Sequence, residues 1–88
     1  VLEERLGNFS EATRYYNLGL SLSEKVKNDA QSLTILNNLA DLYLSKKDVN
    51  QAKLLLEKAL LLSEKSKLYR MKPLLQANFG LCLYAQAD

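Results

Sequence analysis

Leu20-Ser21-Leu22-Ser23-Glu24-Lys25-Val26-Lys27 returns forty residues later as Leu60-Leu61-Leu62-Ser63-Glu64-Lys65-Ser66-Lys67. Apolar agreement of this kind can follow from amphipathicity alone. The polar cassette Ser-Glu-Lys-x-Lys recurs whole, and amphipathicity does not account for that. Working outward, residues 9–48 lie over 49–88 without a gap. Ala12/Ala52, Asn38/Asn78 and Asp48/Asp88 also match, so nine of forty positions are identical. Self-similarity at a fixed period of this size marks a stacked-repeat architecture.

Each repeat reads as two helices. Ala52, Leu55, Leu56, Ala59 and Leu60 follow the i, i+3, i+4, i+7, i+8 spacing of one helical face. Ala12, Tyr15, Tyr16, Gly19 and Leu20 repeat it and are expected to pack. Asn8 with Glu11, and Asp48 with Gln51, carry the chemistry of a helix start: a short acceptor for a first-turn N–H, and a longer side chain reaching back. The other helix type is expected from about Asp29 to Ser45, with Leu33, Leu36, Leu39, Ala40 and Tyr43 inward. Its copy should begin near Tyr69, with Pro73 in the first turn, where a missing N–H costs little. Sustained period-two alternation is absent, and Val and Ile total only four residues, so strands have no support. Leu54, Leu61 and Leu62 widen the apolar stripe of the helix around 54–62, as in a solenoid where no unit buries its own core.

Composition narrows the function. The chain has 88 residues, 48% hydrophobic and 25% charged, with one cysteine, Cys82, and no histidine. A Ser-His-Asp triad, a Cys-His dyad, histidine metal ligation and a cysteine-based zinc site therefore cannot be built from this chain. With three glycines, no glycine-rich phosphate loop and no clustered carboxylates, the chain is not expected to be an enzyme, and no cofactor or metal is implied. The net charge of +2 gives no argument for nucleic acid or membrane, and no apolar run approaches the ~20 residues of a bilayer span. Val1-Leu2-Glu3-Glu4-Arg5 is not a signal peptide, and a lone cysteine suits a reducing compartment, so a cytoplasmic setting is expected.

Leu36-x2-Leu39-Ala40-x2-Tyr43, followed by Ala52-x3-Leu56 and then Ala59, resembles the tetratricopeptide repeat, a helix–turn–helix unit. Gly7-x-Phe9-x2-Ala12-x3-Tyr16-x2-Gly19 matches the end of such a unit, and Gln76-x2-Phe79-Gly80-x2-Leu83 the beginning of one. The forty-residue period exceeds the family's usual ~34. Together with Leu36 to Tyr43 it is similar to the longer repeats of kinesin light chain and of bacterial peptide-sensing regulators. Glu64 stands near the family's terminating proline. The resemblance implies an all-α, right-handed solenoid of antiparallel helix pairs, about four helices in all. Residues 1–28 would close a first repeat, 29–68 form a complete one and 69–88 open another, the chain starting and stopping in mid-repeat with Asp88 at a cap position. Ala12, Tyr16, Gly19, Leu39, Ala40, Tyr43, Ala52, Leu56, Ala59, Phe79 and Gly80 would be the packing residues.

The resemblance also implies a binding face. Asn38 and Asn78 share one repeat position on the helix type that lines the family's concave surface. A carboxamide both donates and accepts, so it can hold a peptide backbone without reading side chains. Thr34, Asn37, Asp41 and Leu44 lie on the same arc, with Leu74, Ala77 and Leu81 as their copies. No basic residue stands there, which disfavours the clamping of acidic chaperone tails. The expected partner is a protein or peptide segment on this face, besides adjacent repeats. The alternative is an architectural scaffold with no groove of its own, in which the asparagines bridge helices. Lys65, Lys67, Arg70 and Lys72 around Tyr69 read as a solvated turn at a helix C-terminus before they read as an anion site. Cys82 reads as a small buried hydrophobe. Exposed end helices are expected to self-associate through Leu18, Leu22 and Val26, or through Phe79 and Leu83.

Overall fold

The computed structural model describes residues 2–87, with side chains described from Phe9 to Gln86; the expected cap at Asp88 lies outside that range. Four helices follow one another: α1 (Leu2–Lys25), α2 (Asp29–Ser45), α3 (Val49–Ser66) and α4 (Lys72–Ala87). Each packs on the next, and α2 also touches α4 along a narrow line, so the order is that of an open stack of helical hairpins. The body measures 38 × 32 × 17 Å. Its thin dimension fits two helix layers, given the 8–10 Å between packed axes. No described helix is long and apolar enough to cross a membrane.

The core shows why the spacing dictates the packing. Leu33, Leu36, Leu39 and Ala40 of α2, Ala52, Leu56 and Ala59 of α3, and Leu20, Leu75 and Cys82 are all buried. Tyr16, Tyr43 and Phe79 pack on this cluster half-buried. A Cβ on Gly19 would stand 3.3 Å from Ile35 Cδ1, so where α1 and α2 approach, a larger residue would push the end of the Ile35 side chain aside by a few tenths of an ångström. Phe9 meets Tyr43 edge-on at 5.7 Å, and Lys46 lies over the Phe9 ring.

The recurring polar cassette turns out to be a turn code. The Ser23 and Ser63 carbonyls accept N–H bonds from Asn28 and Leu68, and those of Glu24 and Glu64 from Lys27 and Lys67. Tyr43 and Leu44 serve Asp48 and Lys47 in the same way after α2. These are Schellman closures, with Lys27, Lys47 and Lys67 left-handed at φ 59°, 63° and 58°. The serine hydroxyls are buried and satisfied. Ser23 donates to the Leu20 carbonyl at 3.0 Å and lies 2.7 Å from Ser32 Oγ, while Ser63 donates to the Leu68 carbonyl at 2.6 Å.

Caps fix the next start. The Gln51 N–H donates to Asp48 Oδ1 at 3.3 Å, as the spacing predicts. An equivalent pair was not anticipated: the Gln31 N–H donates to Asn28 Oδ1, and Asn28 Nδ2 returns a bond to Gln31 Oε1.

Five expectations need correction, in whole or in part. Asn8 is not a helix start, because α1 runs through it from Leu2; a glycine such as Gly7 inside a helix costs only ~1 kcal/mol and does not by itself force a turn. The last helix begins at Lys72 and not near Tyr69, because Pro73 has no N–H to bond the Tyr69 carbonyl. Tyr15 is 70% exposed; adjacent residues point 100° apart, and Tyr16 takes the inward position. Gly80 is also exposed, with nothing within 4 Å of an added Cβ. Its copy Ala40 lies on α2, which has α1 and α3 on its two sides, whereas α4 has only α3 and the thin contact with α2. Phe79 packs against the core, as its place among the packing residues implies, so of the pair expected at an open end only Leu83 is exposed.

Candidate functional site

The outward arc of α2 carries Thr34, Asn38, Asp41 and Ser45, at i, i+4, i+7 and i+11, all exposed. This arc faces away from the core because Leu33, Leu36, Leu39 and Ala40 occupy the opposite side. Asn38, Asp41, Leu42 and Ser45 line a shallow groove of about 240 Å³ together with Tyr16 of α1. Tyr16, Leu42 and Ser45 were not among the expected binding residues. Ser45 is legible in hindsight as i+7 from Asn38, but Tyr16 comes from a facing helix and only packing reveals it.

The two asparagines singled out by the repeat differ in role. Asn38 is exposed, lines the groove and makes no side-chain hydrogen bond among the described residues. Asn78 is half-buried, and its Nδ2 donates to Asn37 Oδ1 at 2.8 Å, tying α4 to α2. The 100° between Asn37 and Asn38 sends one toward α4 and leaves the other beside α1. Thr34 adds a second tie: its hydroxyl donates to the Ala30 carbonyl at 3.2 Å and stands 3.7 Å from the Met71 sulfur. Asp41 lines the groove and has no salt-bridge partner among the described residues. Leu81 and Leu74 stand 57% and 49% exposed on α4, so the face passes from polar on α2 to apolar on α4.

The basic run resolves into separate tasks. Lys72 pairs with Glu64 and stands 5.6 Å from the centre of the Tyr69 ring. The hydrogen bond and charge of Glu64 hold the Lys72 ammonium above its ordinary pKa. Lys67 forms the left-handed cap. Cys82 is buried, and burial pushes its thiol up against a smaller opposing effect of Lys53, the reverse of what a nucleophile needs. Among the described residues, no group of three or more His, Cys, Asp or Glu side chains is placed to hold a metal.

Comparison with known proteins adds the family. No curated protein and no solved structure matches the chain significantly. The family profile of the tetratricopeptide repeat matches residues 1–65, which include α1, α2 and nearly all of α3. With the helical-hairpin stack and the Leu36 to Ala59 pattern, that match places the chain in the tetratricopeptide repeat family, whose members generally mediate protein–protein interaction.

Proposed function

We propose that this chain binds a peptide or an extended partner segment along the face formed by α2 and α4, with Asn38 as the anchor. The observation that carries this reading is an exposed carboxamide with no partner among the described residues, set in a groove between Tyr16 and Asp41. Asn38 would donate to a carbonyl and accept from an N–H of the ligand backbone, while Leu74 and Leu81 offer apolar contact further along. The ligand therefore has mixed character, extended and polar at the α2 end and apolar over α4. Binding needs no covalent step, and the chain acts by shape and hydrogen bonding.

The Asn78–Asn37 bond favours a second reading for that pair alone, namely that it joins the hairpins as a scaffold would. Single substitutions separate the roles. Asn38→Ala should leave the melting temperature within error and weaken a peptide chosen from a random display library by about tenfold or more. Asn78→Ala should cost about 1 kcal/mol of stability, since it strands a half-buried Asn37. Undiminished peptide binding by the Asn38→Ala chain sinks the groove; stability lost at Asn38 instead would favour the scaffold reading.

A further inference from the structure

The layer opposite the Asn38 face holds a larger cleft, of about 530 Å³, between the end of α1 and α3. Such a volume is in the range that takes a few side chains of a ligand. It exists because α1 and α3 pack on α2 and not on each other. One wall is a single stripe of α3, Lys58, Leu61, Leu62 and Lys65, at i, i+3, i+4 and i+7. Lys27 stands on the other side and the buried Ser32 forms the floor. Ser32 and Asp41 are nine residues apart on α2, two and a half turns, so the cleft and the Asn38 groove open on opposite sides of the helix.

Charge and apolar surface combine in this cleft. Its two carboxylates are engaged: Glu24 with Lys58 at 3.3 Å, and Asp29 accepting from Ser66 Oγ at 2.5 Å. Lys27 and Lys65 have no carboxylate at salt-bridge distance among the described residues, and Leu61 is 72% exposed between Lys58 and Lys65. A free anion would satisfy the ammoniums and leave the leucine in water. We infer that this cleft is a second docking site, for an acidic segment of a partner protein that lays an apolar side chain on Leu61 and Leu62 and sets flanking carboxylates against Lys27 and Lys65. The inference is independent of the Asn38 face, because the surfaces are opposed and share no residue.

The probe is a capped peptide, Asp-Glu-Leu-Glu-Asp, titrated into the isotope-labelled 88-residue chain and followed by amide shifts. Shifts should gather on Ser32, Leu61, Leu62 and Lys65, spare Asn38 and Asp41, and weaken several-fold between about 50 and about 300 mM salt. Lys65→Glu should weaken the peptide by about tenfold, and Leu61→Ser should do likewise at unchanged helicity, both side chains being exposed. Replacing the peptide's leucine with serine should abolish the shifts. Absence of cleft shifts up to about 5 mM peptide overturns the inference. Equal response to a Lys-Lys-Leu-Lys-Lys peptide does so too. A response confined to phosphatidylserine vesicles would replace the peptide with a membrane surface and overturn it as well.

Discussion

Lys27, Lys47 and Lys67 recur every twenty residues at a backbone conformation that L-residues avoid. Lysine pays ~1 kcal/mol or more there relative to glycine, partly offset because glycine has more freedom to lose on folding. Each Lys→Gly substitution at 27, 47 or 67 should therefore raise stability by about 0.5–1 kcal/mol, read as a higher denaturant midpoint at unchanged slope. Destabilisation would mean that the lysine side chains hold the turns in some other way. Removing a cap works in the opposite direction: Asn28→Ala and Asp48→Ala should each cost about 1 kcal/mol. The repeated Ser-Glu-Lys-x-Lys was visible in the sequence, but its meaning was not. Nothing in the residue types says that a lysine, and not a glycine, will take the left-handed position. The Asn28–Gln31 cap was fully legible, being the same signal as Asp48–Gln51 twenty residues earlier.

At the scale of the helix, spacing proved a good guide where neighbours exist on both sides. The bounds of α2 came out as Asp29–Ser45, and the buried set of α2 and α3 follows the expected faces. It failed at the edges of the stack. Tyr15, Leu18 and Leu22 of α1 and Val26 just past its end are all exposed and at helical spacing share one 80° arc, and Leu54, Leu81 and Leu83 are exposed on the later helices. Amphipathic pattern alone cannot tell a face covered by a neighbour from one left open, which is why spacing puts Tyr15 and Gly80 on packed faces. The α1 arc should drive self-association. Sedimentation should show a mass that rises with concentration, and Leu18→Glu with Leu22→Glu should return the chain to monomer at unchanged helicity. A monomer at every concentration would contradict this role for the arc. In the centre, Leu36→Ala should cost 2–5 kcal/mol, roughly, enough to unfold most of so small a stack.

For the molecule as a whole, Cys82 gives an internal clock of opening. Its burial should make the folded chain almost inert to a thiol reagent at neutral pH, with labelling at the rate of unfolding. Both shifted groups act in one direction with pH. The Cys82 thiol and the Lys72 ammonium hold their protons more tightly folded than unfolded, so the stability they contribute is present below their ordinary values. It begins to fall above about 8.5 for the thiol and about 10.4 for the amine and is lost as pH rises through the raised values of the folded chain, a fall that alkaline melts should show. The slab presents two faces, a groove at Asn38 and a basic, leucine-lined cleft behind it. The first was legible as a repeat position, although its Asn78 copy is committed to Asn37. The second was not, because its residues come from three helices and only the packing assembles them. Whether the Asn38 face binds an extended partner is decided by amide-shift mapping of a display-selected peptide. Perturbations should run along Thr34, Asn38, Asp41 and Ser45, continue to Leu81, and need about tenfold or more peptide in the Asn38→Ala chain. Perturbations that avoid this face, or that persist unchanged without the Asn38 carboxamide, would contradict such binding.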